Sequence, residues 1–402
     1  MEAQELANNN VATLHTEVTD NLSPASYIVI LKEGRKISKR DLDSDWSSNT
    51  VKRSTLNGIS KQEEFKRSVK GYWSFDNSND AVLHGFHGAF SSEILDLISD
   101  SKDVISIEPD TIERAHNFVY SQQNASWGLS RLSHKTDNAD SDYLFREPGG
   151  QNTTIYIVDS GVRTTHKQFG GRAFWGANFI DNSDNDDSGH GTHVAGIAAS
   201  HTFGASKFSR IVAIKVFNNE EQGNISGFLS ALSWIYQNHE DTKHGRGVIN
   251  YSGGGQVSPA KKAAIEKSVG KGLVFVTSAG NSAESSCNQG PADCGNIDGS
   301  ITVAALTKDN KSAEFTNFGT CVDVYAPGVD ILSSYNTDDS ATAFLTGTSM
   351  SSPYVAGLAS YFLSVNSSLT PAQVEKMITK TNMGGVFDLP IDTVNAIAYN
   401  GM

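Results

Sequence analysis

Val248-Ile249-Asn250-Tyr251, then Ser258-Pro259 opening a run that ends near Val269, then Leu273-Val274-Phe275-Val276-Thr277: this stretch reads as strand, helix, strand. The two outer runs are short, apolar and rich in β-branched and aromatic side chains, as strands are. Ser258 carries the hydroxyl that a helix start needs. Pro259 suits the first helical position, where a missing amide hydrogen costs least. The same alternation extends outward, with strands expected at 155–158, 211–216 and 301–304 and helices at 226–238 and 371–378. Apolar strands alternating with helices predict an α/β domain whose parallel sheet is covered on both faces. That domain is expected to occupy residues 127–402.

Its chemistry-bearing motifs stand at strand ends and helix starts, where open α/β folds build their sites. The strand 155–158 runs into Asp159-Ser160-Gly161. Alone, such an aspartate is most often a turn residue whose carboxylate bonds nearby amides. Gly189-His190-Gly191-Thr192-His193-Val194-Ala195-Gly196 leads into a helix of small residues, and an imidazole is the natural base near neutral pH. His190 and His193 lack the spacing and the glutamate of a zinc-binding His-Glu-x-x-His helix, so His193 reads as a packing residue. Gly347-Thr348-Ser349-Met350-Ser351-Ser352-Pro353 feeds Ser349 into a helix, with Pro353 expected in its first turn. A serine there is often only a cap, but the position also faces backbone amides and the positive end of the helix dipole. Ser278-Ala279-Gly280-Asn281 follows the strand 273–277, and the Asn281 amide can donate to a tetrahedral intermediate. Each motif is weak alone. Together they supply a hydroxyl nucleophile, its base and the carboxylate that orients the base.

Ahead of this domain the pattern differs. Residues 1–24 form a polar leader. Residues 25–113 read as strand 27–31, helix 61–70, strands 72–75 and 81–86, helix 90–99 and strand 104–107. That order is the ferredoxin-like β-α-β-β-α-β pattern of a small α+β domain. Residues 114–126 are polar around Phe118-Val119-Tyr120 and read as a linker suited to cleavage.

The chain carries 32 Lys and Arg against 45 Asp and Glu, a net −13, which speaks against a nucleic-acid partner. No apolar run reaches bilayer length, so no membrane partner is expected. The chain opens Met1-Glu2-Ala3-Gln4-Glu5 without a basic or apolar signal segment, so a secretory leader, if the protein has one, is not in this sequence. Seven Asn-x-Ser/Thr triplets, at Asn21, Asn124, Asn152, Asn224, Asn250, Asn310 and Asn366, lean towards the secretory pathway and glycosylation. Cys287, Cys294 and Cys321 cannot all pair. One disulfide with one buried thiol is expected, with all three reduced as the alternative.

From Trp127 onward the chain resembles the proteinase K-like branch of the subtilases, fungal ones above all. The resemblance rests on Trp127-Gly128-Leu129, Val158 to Val162, the Gly189 to Gly196 motif, Ser278 to Asn281, Asn317-Phe318-Gly319 with Ala326-Pro327-Gly328, Gly347 to Pro353, and Val394 to Asn400. Residues 25–113 look like that family's inhibitory prodomain. The Asp, His, Ser chain order is the one known for subtilisin. The resemblance implies a zymogen of a serine endopeptidase of broad specificity, acting through an acyl-enzyme. Asp159 would orient the imidazole, His190 serve as base and acid, Ser349 attack, and Asn281 bind the oxyanion. Substrate would pair with the segment 250–255, through Ser252, Gly253 and Gly254. Gly253 stands where leucine is usual, and Tyr354 where histidine is usual. Removal of the prodomain is expected near the bond between Val119 and Tyr120. The resemblance pairs Cys287 with Cys321 and leaves Cys294 free. A local pair of Cys287 with Cys294 is the competing arrangement.

Asp323 matches a calcium-binding aspartate of the family, so a structural calcium is expected, with no cofactor for catalysis. The acidic run 181–187 reads as a solvated loop that can favour basic substrate residues. The partners implied are protein and peptide substrates and the chain's own prodomain, for a monomer secreted from the cell or, alternatively, sent to the vacuole. A kexin-like processing protease would need a further β-rich domain, and only 53 residues follow Ser349. A catalytically dead relative would have lost one of the required residues, and none is missing.

Overall fold

The computed structural model describes residues 13–14, 26–32, 55–56, 59–77, 80–110, 119–135, 142–381 and 383–402. The leader 1–24 lies outside these residues apart from a two-residue strand, Thr13–Leu14. The chain divides into two compact units, Met1–His116 and Asn117–Met402.

The first unit contains β1 (Ser26–Leu31), α1 (Lys61–Ser68), β2 (Val69–Asn77), β3 (Asp80–Ala89), α2 (Ser92–Ser99) and β4 (Val104–Pro109). They form the sheet order β4-β1-β3-β2 with antiparallel neighbours, and Thr13–Leu14 adds in parallel beside β4. The ferredoxin-like order read from the sequence is therefore the observed one. Phe65 of α1, Phe86 of β3 and Phe90 pack ring against ring, with Ile94 and Ile98 of α2 on the same core. Phe90 precedes α2 instead of opening it, and the Ser91 hydroxyl donates to Glu64 across the unit.

The second unit is built on seven parallel strands. In chain order it comprises β5 (Val119–Gln122), α3 (Trp127–Arg131), β6 (Tyr143–Arg146), β7 (Thr153–Asp159), β8 (Ala173–Asn178), α4 (His190–Ala199), β9 (Arg210–Lys215), α5 (Ile225–Asn238), β10 (Arg246–Tyr251), α6 (Pro259–Gly270), β11 (Val274–Ser278), β12 (Ser300–Leu306), β13 (Val324–Pro327), β14 (Ile331–Ser334), β15 (Thr342–Leu345), α7 (Thr348–Val365) and α8 (Pro371–Lys380). The sheet order is β8-β9-β7-β10-β11-β12-β13. Alternate residues of β7 feed two cores. Ile155 and Ile157 meet α4, α7 and α8, whereas Tyr156 and Val158 meet α5 and α6. Ser258 accepts from the Lys261 amide and Pro259 begins α6, as the opening stretch predicts.

The edge strands β8 and β13 are additions to the sequence reading. β8 is half-buried and interrupted at Gly176 by a register shift, and β13 is a buried apolar run of only four residues whose closing proline reads as a turn. The segment read as a linker also holds structure: β5 pairs antiparallel with β6. Residues 111–118 lie outside the described residues.

Candidate active site

Asp159 ends β7 at the carboxyl edge of the sheet, wholly buried. Its Oδ1 accepts from the Ser160 amide at 2.8 Å and from His190 Nδ1 at 2.7 Å. An acceptor facing Nδ1 assigns the ring proton to that nitrogen and leaves Nε2 its lone pair. The approach is allowed by Gly191: a Cβ there would lie 2.0 Å from the Gly161 carbonyl oxygen and 3.2 Å from Asp159 Cβ. His190 is the first residue of α4. Burial alone would lower its pKa, but the Asp159 carboxylate opposes this by charge and by hydrogen bond. With smaller contributions from Glu221 and Asp186, the imidazole is held up at about 9.

α4 starts at a bare N-cap, Gly189, with no side chain to satisfy its first amides. Asp186 does that work from outside the helix. Its Oδ1 accepts from the Gly189 amide at 2.9 Å and the Ser160 hydroxyl at 2.8 Å, and its Oδ2 from the Thr192 amide at 2.8 Å. The Ser160 oxygen in turn accepts from the Gly191 amide at 3.0 Å. One buried carboxylate thus ties the turn after Asp159 to the helix that carries His190. The sequence reading counted it in a solvated acidic loop, which the structure corrects. The signal was available, since a helix preceded by glycine must draw its cap from elsewhere. Asp181 and Asp187 are not free either. Each lies 2.9 Å from Nζ of Lys215, whose side chain is wholly buried, so an internal cation already occupies them.

Ser349 is the second residue of α7, and its hydroxyl donates to the Ser252 carbonyl at 3.2 Å. Pro353 is the sixth residue of α7, not a first-turn residue. Having no amide hydrogen, it leaves the carbonyl four residues earlier, that of Ser349, without its helical donor. The Ser252 hydroxyl fills the gap at 3.1 Å, and Ser252 Oγ also bonds Ser352 Oγ and accepts from Asn250 Nδ2. Asn281 follows β11. Its Oδ1 accepts from the Thr348 amide at 2.9 Å and the Thr348 hydroxyl at 2.8 Å, which leaves Nδ2 to donate. A Cβ on Gly347 would lie 3.4 Å from that Nδ2 and 3.8 Å from the Ser349 amide nitrogen. Two donors therefore border one small space beside Ser349.

Residues 150–396 match the subtilase family, peptidase S8, and residues 26–116 match peptidase inhibitor I9. The chain belongs to the subtilase family. This subtilase is 42% identical over 342 residues to the alkaline extracellular protease of Yarrowia lipolytica, covering 79% of this chain and 74% of that one. It is 35% identical over 425 residues to cerevisin of Saccharomyces cerevisiae, covering 98% of this chain and 66% of that one. The crystal structure of a cold adapted subtilisin-like serine proteinase superposes with a TM-score of 0.65 at 35% identity, covering 69% of this chain and 99% of that one. The subtilase is thus a serine endopeptidase with an inhibitory prodomain, which implies protein substrates and inhibition from within the same chain.

His193 donates Nε2–H to the carbonyls of Ile331 and Ala343, both at 3.0 Å, and burial lowers its pKa to about 4. It pins α4 to the β14–β15 hairpin as a neutral ring. Cys287 and Cys321 form a disulfide, and Cys294 is a buried thiol. Tyr354 is buried in α7, and a Cβ on Gly128 would lie 2.5 Å from its hydroxyl oxygen. Asp323 is half-buried and accepts from the Thr302 amide at 2.7 Å. Desolvation raises its pKa well above the usual carboxylate range, with Glu375 adding to the effect.

Proposed function

We propose that this subtilase is an endopeptidase of broad specificity, working through an acyl-enzyme with Asp159, His190 and Ser349 as its triad. One observation carries the reading: a buried carboxylate orients the base while two amide donors border the space beside Ser349. In the resting arrangement the Ser349 hydroxyl points at Ser252. In the proposed attack it turns to His190 Nε2, which takes the proton as Oγ attacks the substrate carbonyl. The oxyanion accepts from Asn281 Nδ2 and the Ser349 amide. The imidazolium, stabilised by Asp159, returns its proton to the leaving amine. Water then repeats the sequence on the acyl-enzyme and releases the acid. Substrate pairs along Ser252, Gly253 and Gly254, as a strand added to an exposed edge.

The test uses protein freed of residues 26–116. A fluorophosphonate probe should label Ser349, and casein should be cut; failure of both sinks the reading. Ser349→Ala should leave the prodomain attached, and normal processing of that variant would overturn the triad.

The prodomain is released by the enzyme itself within 114–126, near the bond between Val119 and Tyr120. The rest of β5, from Tyr120, then becomes the amino-terminal strand of a monomeric product. An active form whose first residue lies well outside 114–126 contradicts this. Secretion fits the extracellular relative, with the vacuole as the alternative. No described helix is long and apolar enough to cross a membrane. Of the triplets, Asn124, Asn152, Asn224 and Asn366 are exposed and can carry glycans, whereas Asn250 and Asn310 are buried.

A structural calcium would be held through Asp323. No group of three or more His, Cys, Asp or Glu among the described residues is arranged to hold a metal, so this aspartate would supply one carboxylate beside carbonyl and water oxygens. A cation there would relieve the cost of a shielded charge. Chelation should then lower the melting temperature, and an unchanged value removes the assignment.

A further inference from the structure

Lys215 ends β9, wholly buried, in register with Asp159 of β7 on one side and Asn178 of β8 on the other. The pleat gives its direction. Ile155 and Ile157 of β7 and Ile211 and Ala213 of β9 lie in the core shared with α4. Asp159 and Lys215, each next in its alternating row, therefore turn to that same face. An ammonium without exposure, on strands that otherwise bury apolar side chains, needs a specific set of partners. Burial alone would lower its pKa, but Asp187 and Asp181 raise it, so it stays charged.

The loop 179–189, which joins β8 to α4, folds around that charge. Nζ donates to the Ser183 carbonyl at 3.3 Å and lies 2.9 Å from Asp181 Oδ2 and from Asp187 Oδ2. The loop's own bonds close on the same carboxylates. Asn178 Nδ2 and the Ser183 amide each donate to Asp181 Oδ1 at 2.9 Å, and Asn185 Nδ2 donates to Asp187 Oδ1 at 2.8 Å. Asn178, Ser183 and then Lys215 hold the Asp181 carboxyl down at about 2. Asp186, flanked by Asn185 and Asp187, takes different partners: Ser160, Gly189 and Thr192. Two adjacent carboxylates thus bind a cation rooted in the sheet and the start of the helix that carries His190.

We propose that Lys215 is a positioning residue for His190: its ammonium is the fixed cation on which the loop 179–189 folds, and through the loop it holds Asp186 against the start of α4. This rests on the proposed triad, in which His190 is the base. Without the ammonium, Asp181 and Asp187 would face each other as like charges, and their repulsion would open the loop. Asp186, next to Asp187 in the chain, would leave its place, and the first turn of α4 would lose its acceptors.

The experiment measures kcat, KM and the pH profile of kcat/KM on one peptide, below the melting temperature of each variant. Active sites of the processed enzyme are counted with a fluorophosphonate, so a smaller folded fraction does not enter the rates. Lys215→Met should lower kcat per site about tenfold or more, with KM held within about threefold. The direction of the acid limb separates two causes. The charges acting on the ring are Asp159 on β7, Glu221 between β9 and α5, and Asp186 in the loop, with His193 of α4 beside them. Loss of a cation acting through space would raise the His190 pKa and move the limb up, whereas loss of Asp186 moves it down. The limb should move down. Asp187→Asn weakens the same tie and should lower kcat about threefold, which keeps the test valid if the methionine variant folds poorly. Either substitution added to Asp186→Asn should cost less than about twofold more in kcat, because both act through one carboxylate. An unchanged kcat in Lys215→Met and Asp187→Asn overturns the proposal. So does a limb that stays or rises in Lys215→Met, or a double variant in which the single effects multiply in full. An unaltered enzyme that takes no fluorophosphonate would instead sink the triad reading beneath it.

Discussion

Around His190 the groups that fix the geometry are carboxylates: Asp159 on the ring, Asp186 across the start of α4, and Glu221 adding to the field. Around Ser349 they are neutral: Thr348 on Asn281, and Ser252 on the Ser349 carbonyl and on Ser352. In the proposed mechanism the difference follows from what each arm must do. The base gains and loses a proton, so fixed negative charge decides when it is neutral. The nucleophile and its oxyanion donors need orientation only, and neutral donors provide that without biasing the titration. The two arms should therefore separate by pH as well as by rate.

On the charged arm, the proposed mechanism needs His190 neutral, and its pKa stands at about 9. The acid limb of kcat/KM should thus lie above the ordinary histidine range, with activity rising as pH climbs through it. The linkage to stability runs the other way. A raised folded-state pKa contributes stability fully below the unfolded value and loses it as pH rises through about 9. The pair helps the fold most where the enzyme works least.

The largest effect is expected from Asp159→Asn. It should cost about 10⁴-fold in kcat, a size carried over from other triad hydrolases, and drop the acid limb towards the ordinary histidine value. Asn281→Ala should cost about 10²–10³-fold, a size carried over from subtilisin, and leave the limb where it is. A moved limb in that variant would break the division between the arms. Asp186→Asn turns an amide NH₂ towards donors of Gly189, Ser160 or Thr192. It should cost about 1–3 kcal/mol of stability by thermal or urea unfolding and about tenfold in kcat, with the limb lowered. An unshifted limb would reduce Asp186 to a helix cap. Ser252→Ala should have the smallest effect, about 1 kcal/mol of stability, because the Ser349 carbonyl loses the donor that Pro353 denies it. Its limb should stay put.

Much of this was legible without coordinates. The strands at 155–158, 211–216 and 248–251 announce themselves by local composition, as does the capped start at Ser258 and Pro259. Asp159, His190, Asn281 and Ser349 stand at strand ends and helix starts for the same reason: the backbone pattern that makes the element also places its terminus. The ferredoxin-like unit was readable because its six elements follow one another in order. β8 and β13 were not: β8 lacks a periodic apolar face, and β13 is four residues ending in proline, so each takes its pairing from its neighbour.

The sequence by itself determined the element order, the identity of the candidate catalytic side chains and the presence of a second unit ahead of them. Each is encoded within a few adjacent residues, where periodicity, capping and turn chemistry act. Only the tertiary structure decided that Asp186 caps α4, that Lys215 holds Asp181 and Asp187, that Ser252 completes the helix Pro353 interrupts, and that Phe217 fills the space over Gly253. Those are contacts between segments distant along the chain. Hydrogen bonds and packed volume depend on separation in space, and no local pattern in the sequence records it.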